Sequence, residues 1–176
     1  MLQGPFLPEE FTPTKFSTAA DKAEFGNHFL RFIDAEWAQT LFTKDFYHRL
    51  SMCFGNIAHY DRATFYETWF ASDRDRLRFL EKMLKWPCWG DAEYTFCDVE
   101  RAMQQEVRTR NYLVRYQLRV AEAEHAGEME TLRRLEAKYR PSVSRAVDVD
   151  TITADVAEQK PPSPVIERIP VQASLF

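Results

Sequence analysis

The chain reads as an all-α protein, a compact helical bundle with an aromatic core. Three observations predict this. Apolar residues recur at three- and four-residue spacing between residues that cap helices, which is the helical period. No alternating apolar-polar run is long enough to promise a sheet. Nearly all the aromatic residues precede Cys97, after which only Tyr112, Tyr116, Tyr139 and Phe176 remain. That shift predicts an extended arm (residues 1–16), a helical domain (17–140), a disordered linker (141–171) and a short peptide motif (172–176).

The opening "MLQGPFLPEEFTPTKF" holds three prolines, with Phe6, Phe11 and Phe16 recurring every five residues. This predicts an extended arm pinned to the body by its phenylalanines. Ser17 is then a plausible N-cap for a helix that places Phe25, Phe29, Phe32 and Ile33 on one face. Residues 34–42 are ambiguous. Thr43 caps a short helix with Phe46, Leu50 and Phe54 inward, and "GNIAHYD" follows as a turn. Asp61 caps the next helix, in which Phe65 and Trp69 pack inward, with Tyr66 and Phe70 beside them. Ser72 opens another, with Asp73 and Asp75 in the first turn where the helix dipole favours them. Leu77, Leu80 and Met83 or Leu84 form its stripe, and it stops at Trp86-Pro87, because a residue before proline avoids the helical region. Trp86 and Trp89 are expected to seal one end of the bundle.

Thr95 or Asp98 begins the last and longest helical stretch, which runs to about Arg140. It carries Val99, Met103, Val107, Val114 and Leu118, then Leu132, Leu135 and Tyr139. Gly127 either bends it into two antiparallel arms, the favoured reading, or only weakens one long helix by ~1 kcal/mol relative to alanine. From Pro141 the helical pattern collapses, and five of the chain's nine prolines lie there. Such a segment cannot bury enough apolar surface to order itself. As a random coil of about 30 residues it would reach roughly 30 Å.

The net charge of −4 argues against general coating of nucleic acid. No stretch approaches the ~18 consecutive apolar residues of a membrane span, and the opening residues lack a signal peptide's basic start and apolar run. The three cysteines, Cys53, Cys88 and Cys97, are odd in number and lie among aromatic residues, which fits reduced, buried thiols in cytoplasm.

Four groups of residues bear on function. The final five, "QASLF", pair two large apolar side chains, Leu175 and Phe176, with Gln172 and the small Ser174. They resemble the peptide by which bacterial polymerases, mismatch-repair proteins and replication regulators grip the DNA sliding clamp. That family pattern is glutamine, a variable residue that is often Leu, a small or acidic residue, Leu, then Phe or Leu. Ala173 departs from the frequent Leu. The resemblance covers these five residues alone and implies a non-enzymatic, replication-associated partner of the clamp, as recruiter or competitor. Ser174 to Phe176 equally resembles a C-terminus captured by PDZ domains, and a protease tag or a tip docked on the chain's own core would also account for it. The central block, from "CFGNIAHYD" through "GDAEYTFCDVE", is similar to uncharacterised proteins of bacteria and their mobile elements, which implies a prokaryotic or phage setting. A helical adaptor or inhibitor acting through its body, such as an anti-defence protein of a phage or plasmid, is the alternative.

The second group is Arg101, Arg108, Arg115 and Arg119, spaced seven, seven and four apart and so on one side of the expected long helix. Such a stripe can pair with a phosphate backbone, although a solvated face balanced by Glu106, Glu122 and Glu124 explains it too. The third is the set of soft ligands, His48, Cys53, His59, Cys88 and Cys97. It contains no Cys-x-x-Cys pair, from which structural zinc sites usually start, so neither metal nor cofactor is expected. The fourth is His59 with Asn56, Tyr60 and Asp61, an acid–base reading that competes with an ordinary turn. No catalytic residue is assigned.

Overall fold

The computed structural model describes residues 4–54 and 61–140. The "GNIAHY" segment with His59, the expected linker and the QASLF motif lie outside the described residues. Among the described residues there are six α-helices and no strand: α1 (Ala19–Asp34), α2 (Lys44–Cys53), α3 (Arg62–Phe70), α4 (Asp73–Lys85), α5 (Cys97–Thr109) and α6 (Tyr112–Tyr139). The all-α class read from the periodicity is the observed one. No helix among these residues is long and apolar enough to cross a membrane. The packing described here lies within the first of two units, which ends at Leu135.

Helix starts follow capping chemistry. Thr18, one residue later than expected, accepts from the Asp21 amide at 3.1 Å while the Asp21 carboxylate accepts from the Thr18 amide at 2.6 Å. This reciprocal box satisfies two amides that the first turn would otherwise strand. Ser17 is instead held by Arg49, whose guanidinium donates to its hydroxyl at 3.1 Å. Thr43, Asp61 and Ser72 cap α2, α3 and α4 as their positions predict. α4 ends at Lys85, and Trp86 turns extended ahead of Pro87.

The core is built mostly of rings. Phe29, Phe32, Ile33, Phe42, Phe65, Phe70 and Phe79 are almost wholly buried. The ambiguous segment after α1 supplies its centre: Trp37 is completely buried and stacks on Phe70 with ring centroids 4.8 Å apart. Reaching that position requires left-handed backbone at Glu36 and Trp37, with φ of 54° and 60°. For non-glycine residues this costs roughly 1–2 kcal/mol each. Burial of the indole, worth about 3 kcal/mol on the scale of large side chains, offsets it. The indole Nε1–H donates to Tyr116 Oη at 2.6 Å, and Tyr66 donates its hydroxyl to the Trp37 carbonyl at 2.6 Å.

The arm is anchored by two of its three phenylalanines. Phe6 and Phe11 are buried edge to face, whereas Phe16 is 89% exposed, so the five-residue recurrence does not pin all three. Asn27 bonds both backbone groups of Phe6, accepting from its N–H at 3.1 Å and donating to its carbonyl at 2.9 Å. Gly26 lets the Phe6 ring lie directly on α1, since a Cβ there would meet it at 2.7 Å.

The last helical stretch breaks elsewhere than expected. α5 ends at Thr109, and Asn111 adopts φ of 55°, a left-handed stop that asparagine tolerates. α6 then runs unbroken through Gly127, correcting the expected bend there. A lone exposed glycine costs a helix about 1 kcal/mol but leaves its hydrogen-bond ladder intact.

Candidate functional site

All three cysteines converge, although 44 positions separate Cys53 from Cys97. Three elements bring them together. Cys53 is the last residue of α2, Cys97 is the first of α5, and Cys88 lies in the irregular segment 86–96 that joins α4 to α5. Glu100 sits one turn beyond Cys97, on the same face of α5 as Gln104 and Val107, and that whole face is buried. Gln104 fixes the register by donating to the carbonyls of Met83 (2.8 Å) and Trp86 (2.9 Å), the frayed end of α4. Lys22, fully buried on α1, donates to Asp98 at 2.9 and 3.0 Å and to the Ala92 carbonyl at 2.8 Å, tying the segment to both helices.

The result is a polar knot in an apolar wall. The sulfurs of Cys88 and Cys97 and a carboxylate oxygen of Glu100 all lie within 4.8 Å of one another, and among the described residues this is the group able to share a cation. The thiols of Cys53 and Cys88 lie beside the Glu100 carboxylate and act on its titration. Burial raises the Glu100 carboxyl above the usual carboxylate range, and the two thiols partly oppose this. Burial first, and the nearby Glu100 charge second, push the Cys53 thiol well up; burial and the neighbouring Glu100 raise Cys88 to about 12. Without a cation both thiols are therefore protonated at neutral pH and are poor nucleophiles.

A cavity of about 720 Å³ opens beside the knot and reaches Cys53 and Glu100. Its rim carries Phe16, Met52, Trp89 and Tyr94, each more than half exposed, with His48 and Arg49 between them. Trp89 is 79% exposed, which corrects the expectation that it seals the bundle. Arg49 lies over the Phe96 ring at 4.4 Å.

The four arginines lie on two helices rather than one: the break at Asn111 places Arg101 and Arg108 on α5 and Arg115 and Arg119 on α6. Arg101 and Arg108 donate to the carbonyls of Cys88 and Leu84 at 3.3 and 3.2 Å. Arg115 lies over the rings of Tyr112 and Tyr116. Arg119 grips Glu36 through both nitrogens, at 2.5 and 3.0 Å.

Sequence reasoning passed over Glu100. The signal was present in Cys97-x-x-Glu100, a pair three apart at a helix start and hence on one face. Cys53 and Cys88 carry no such local signal. The chain matches no protein-family model, no curated protein and no solved structure.

Proposed function

We propose that this protein binds the bacterial DNA sliding clamp through Gln172, Ser174, Leu175 and Phe176, as a recruiter to the clamp or a competitor for it. The observation that carries the reading is the five-residue sequence itself. Leu175 and Phe176 offer adjacent apolar side chains, of which the phenyl alone buries about 150–250 Å² in a pocket. At roughly 25 cal/mol per Å² that is several kcal/mol before ordering costs. Gln172, with both donors and an acceptor, can satisfy backbone groups at a pocket rim and so set register. The preceding polar, proline-rich residues demand no packing of their own. A peptide of this size is expected to bind in the micromolar range, about −8 kcal/mol.

Calorimetry of the full chain against purified clamp, beside the Leu175→Ala/Phe176→Ala variant, tests the reading. Micromolar or tighter binding that disappears in the variant supports it. Undiminished binding by the variant transfers recognition to the helical body, where the aromatic-rimmed cavity is the first surface to mutate. No binding by either chain removes the clamp from the account.

A further inference from the structure

We propose that Cys53, Cys88, Cys97 and Glu100 form a structural zinc site that fastens the segment between α4 and α5 to the ends of α2 and α5. The donor set is the first argument. Three thiols and a carboxylate are ligands that zinc accepts in four-coordinate sites, and softness favours zinc over magnesium or calcium. The geometry is the second. Zn–S bonds of about 2.3 Å place tetrahedral sulfurs about 3.8 Å apart, so ligand atoms within 4.8 Å of one another need only a small inward movement. Cys53 stands outside that trio, and its sulfur, buried at the end of α2, would complete the set by moving inward.

The third argument is what the cluster lacks. Glu100 is 8% exposed, and among the described residues its carboxylate has sulfurs for neighbours and no ion pair with a guanidinium or ammonium. A buried carboxylate with no ion-pair partner is a costly arrangement unless something bridges it to its neighbours. Zinc does so: it bonds each sulfur and the carboxylate oxygen while the three thiol protons leave to solvent. A centre of three thiolates, one carboxylate and Zn²⁺ carries a net charge of −2. Arg49 and Arg101 are positioned to balance it, since the field of Arg49 reaches Cys53 and that of Arg101 reaches Glu100. The adjoining cavity, which reaches both Cys53 and Glu100, provides the path of entry.

The mechanical role follows from the backbone. Segment 86–96 has little regular structure, and internally its backbone is held by the Tyr94 and Thr95 amides, both donating to Asp91. A metal bridging Cys88 to two helices would order that segment, and its binding energy would appear as folding energy.

The test uses the full chain, purified under reducing conditions. Its metal content is measured by plasma mass spectrometry, and the absorption spectrum is recorded after exchange with Co(II). The expected result is one zinc per chain, a thiolate-to-cobalt charge-transfer band, and the visible bands of tetrahedral cobalt. Chelation should lower the Tm and added zinc should restore it. Cys88→Ser/Cys97→Ser should abolish uptake, and Glu100→Gln should weaken it roughly tenfold or more, by analogy with losses around known metal centres. The cobalt spectrum of the unmodified protein needs no variant, so misfolding of the substituted chains cannot obscure the answer. A chain with a helical circular-dichroism spectrum that takes up neither metal overturns the proposal. So does cobalt bound without thiolate bands, or a Cys88–Cys97 disulfide that persists under reductant.

Discussion

Two buried regions of this protein, one around Trp37 and one around Glu100, solve the problem of burial in opposite ways. Around Trp37 the large groups are mostly rings packed against one another. Phe32 packs edge-on against Trp37 at 5.2 Å and Phe70 at 5.1 Å, and the polar end of the indole is met by Tyr116. Around Glu100 the buried groups are polar and face one another, and thiols are the neighbours of a carboxylate. The first region is complete as the chain folds. The second gains most from an added cation. Aromatic burial is non-directional and tolerant, whereas a buried polar cluster is stabilising only when every member is satisfied.

Three perturbations sharpen that contrast. Phe32→Ala should have the largest effect, destabilising the fold by about 3–5 kcal/mol through lost burial and the cavity left behind. Measured by urea unfolding, the loss should be the same with zinc or with chelator. A zinc-dependent loss would mean the two regions are not independent. Tyr116→Phe comes next. It leaves the buried indole N–H without its acceptor, at a cost of about 1–3 kcal/mol, and the loss should shrink in a Trp37→Phe background that has no such donor.

The smallest effect concerns pH and His28, which borders the aromatic region on Phe46 at 4.4 Å. Arg31 donates to Nδ1 at 3.1 Å, so the ring proton sits on Nε2 and is donated to the Leu41 carbonyl at 2.8 Å. Both ring nitrogens are therefore satisfied by the neutral form. Burial first, and the Arg31 charge in addition, hold the His28 pKa below its usual 6.5, while the Leu41 bond opposes this. Between that depressed value and about 6.5 the unfolded chain binds more protons than the folded one, so stability falls as pH drops through this window and levels off below it. His28→Gln should flatten this part of the stability–pH curve. An unchanged curve would place the titration in another group.

The helical framework was legible from the chain because its causes are local. Thr43, Asp61 and Ser72 cap the helices after them by bonding amides two or three residues on, and Pro87 ends α4 through its own ring. The inward faces of α1, α2 and α3 follow from spacing alone. The structure departs from the local signals at a few positions. Gly127 promised a break that did not occur, while Asn111, a weaker signal, supplied one. Trp37 sat in an ambiguous stretch because its left-handed backbone is tolerated only in return for burial against Phe70 and Tyr116.

By itself, then, the sequence determined an all-α body with its caps, its aromatic core and a five-residue motif that resembles a clamp ligand. Only tertiary structure decided that Cys53, Cys88 and Cys97 meet at Glu100, and that the four arginines are divided between two helices. The physical reason is range. Caps and helical faces are settled within four residues, whereas a site assembled from α2, the 86–96 segment and α5 exists only once those elements have packed.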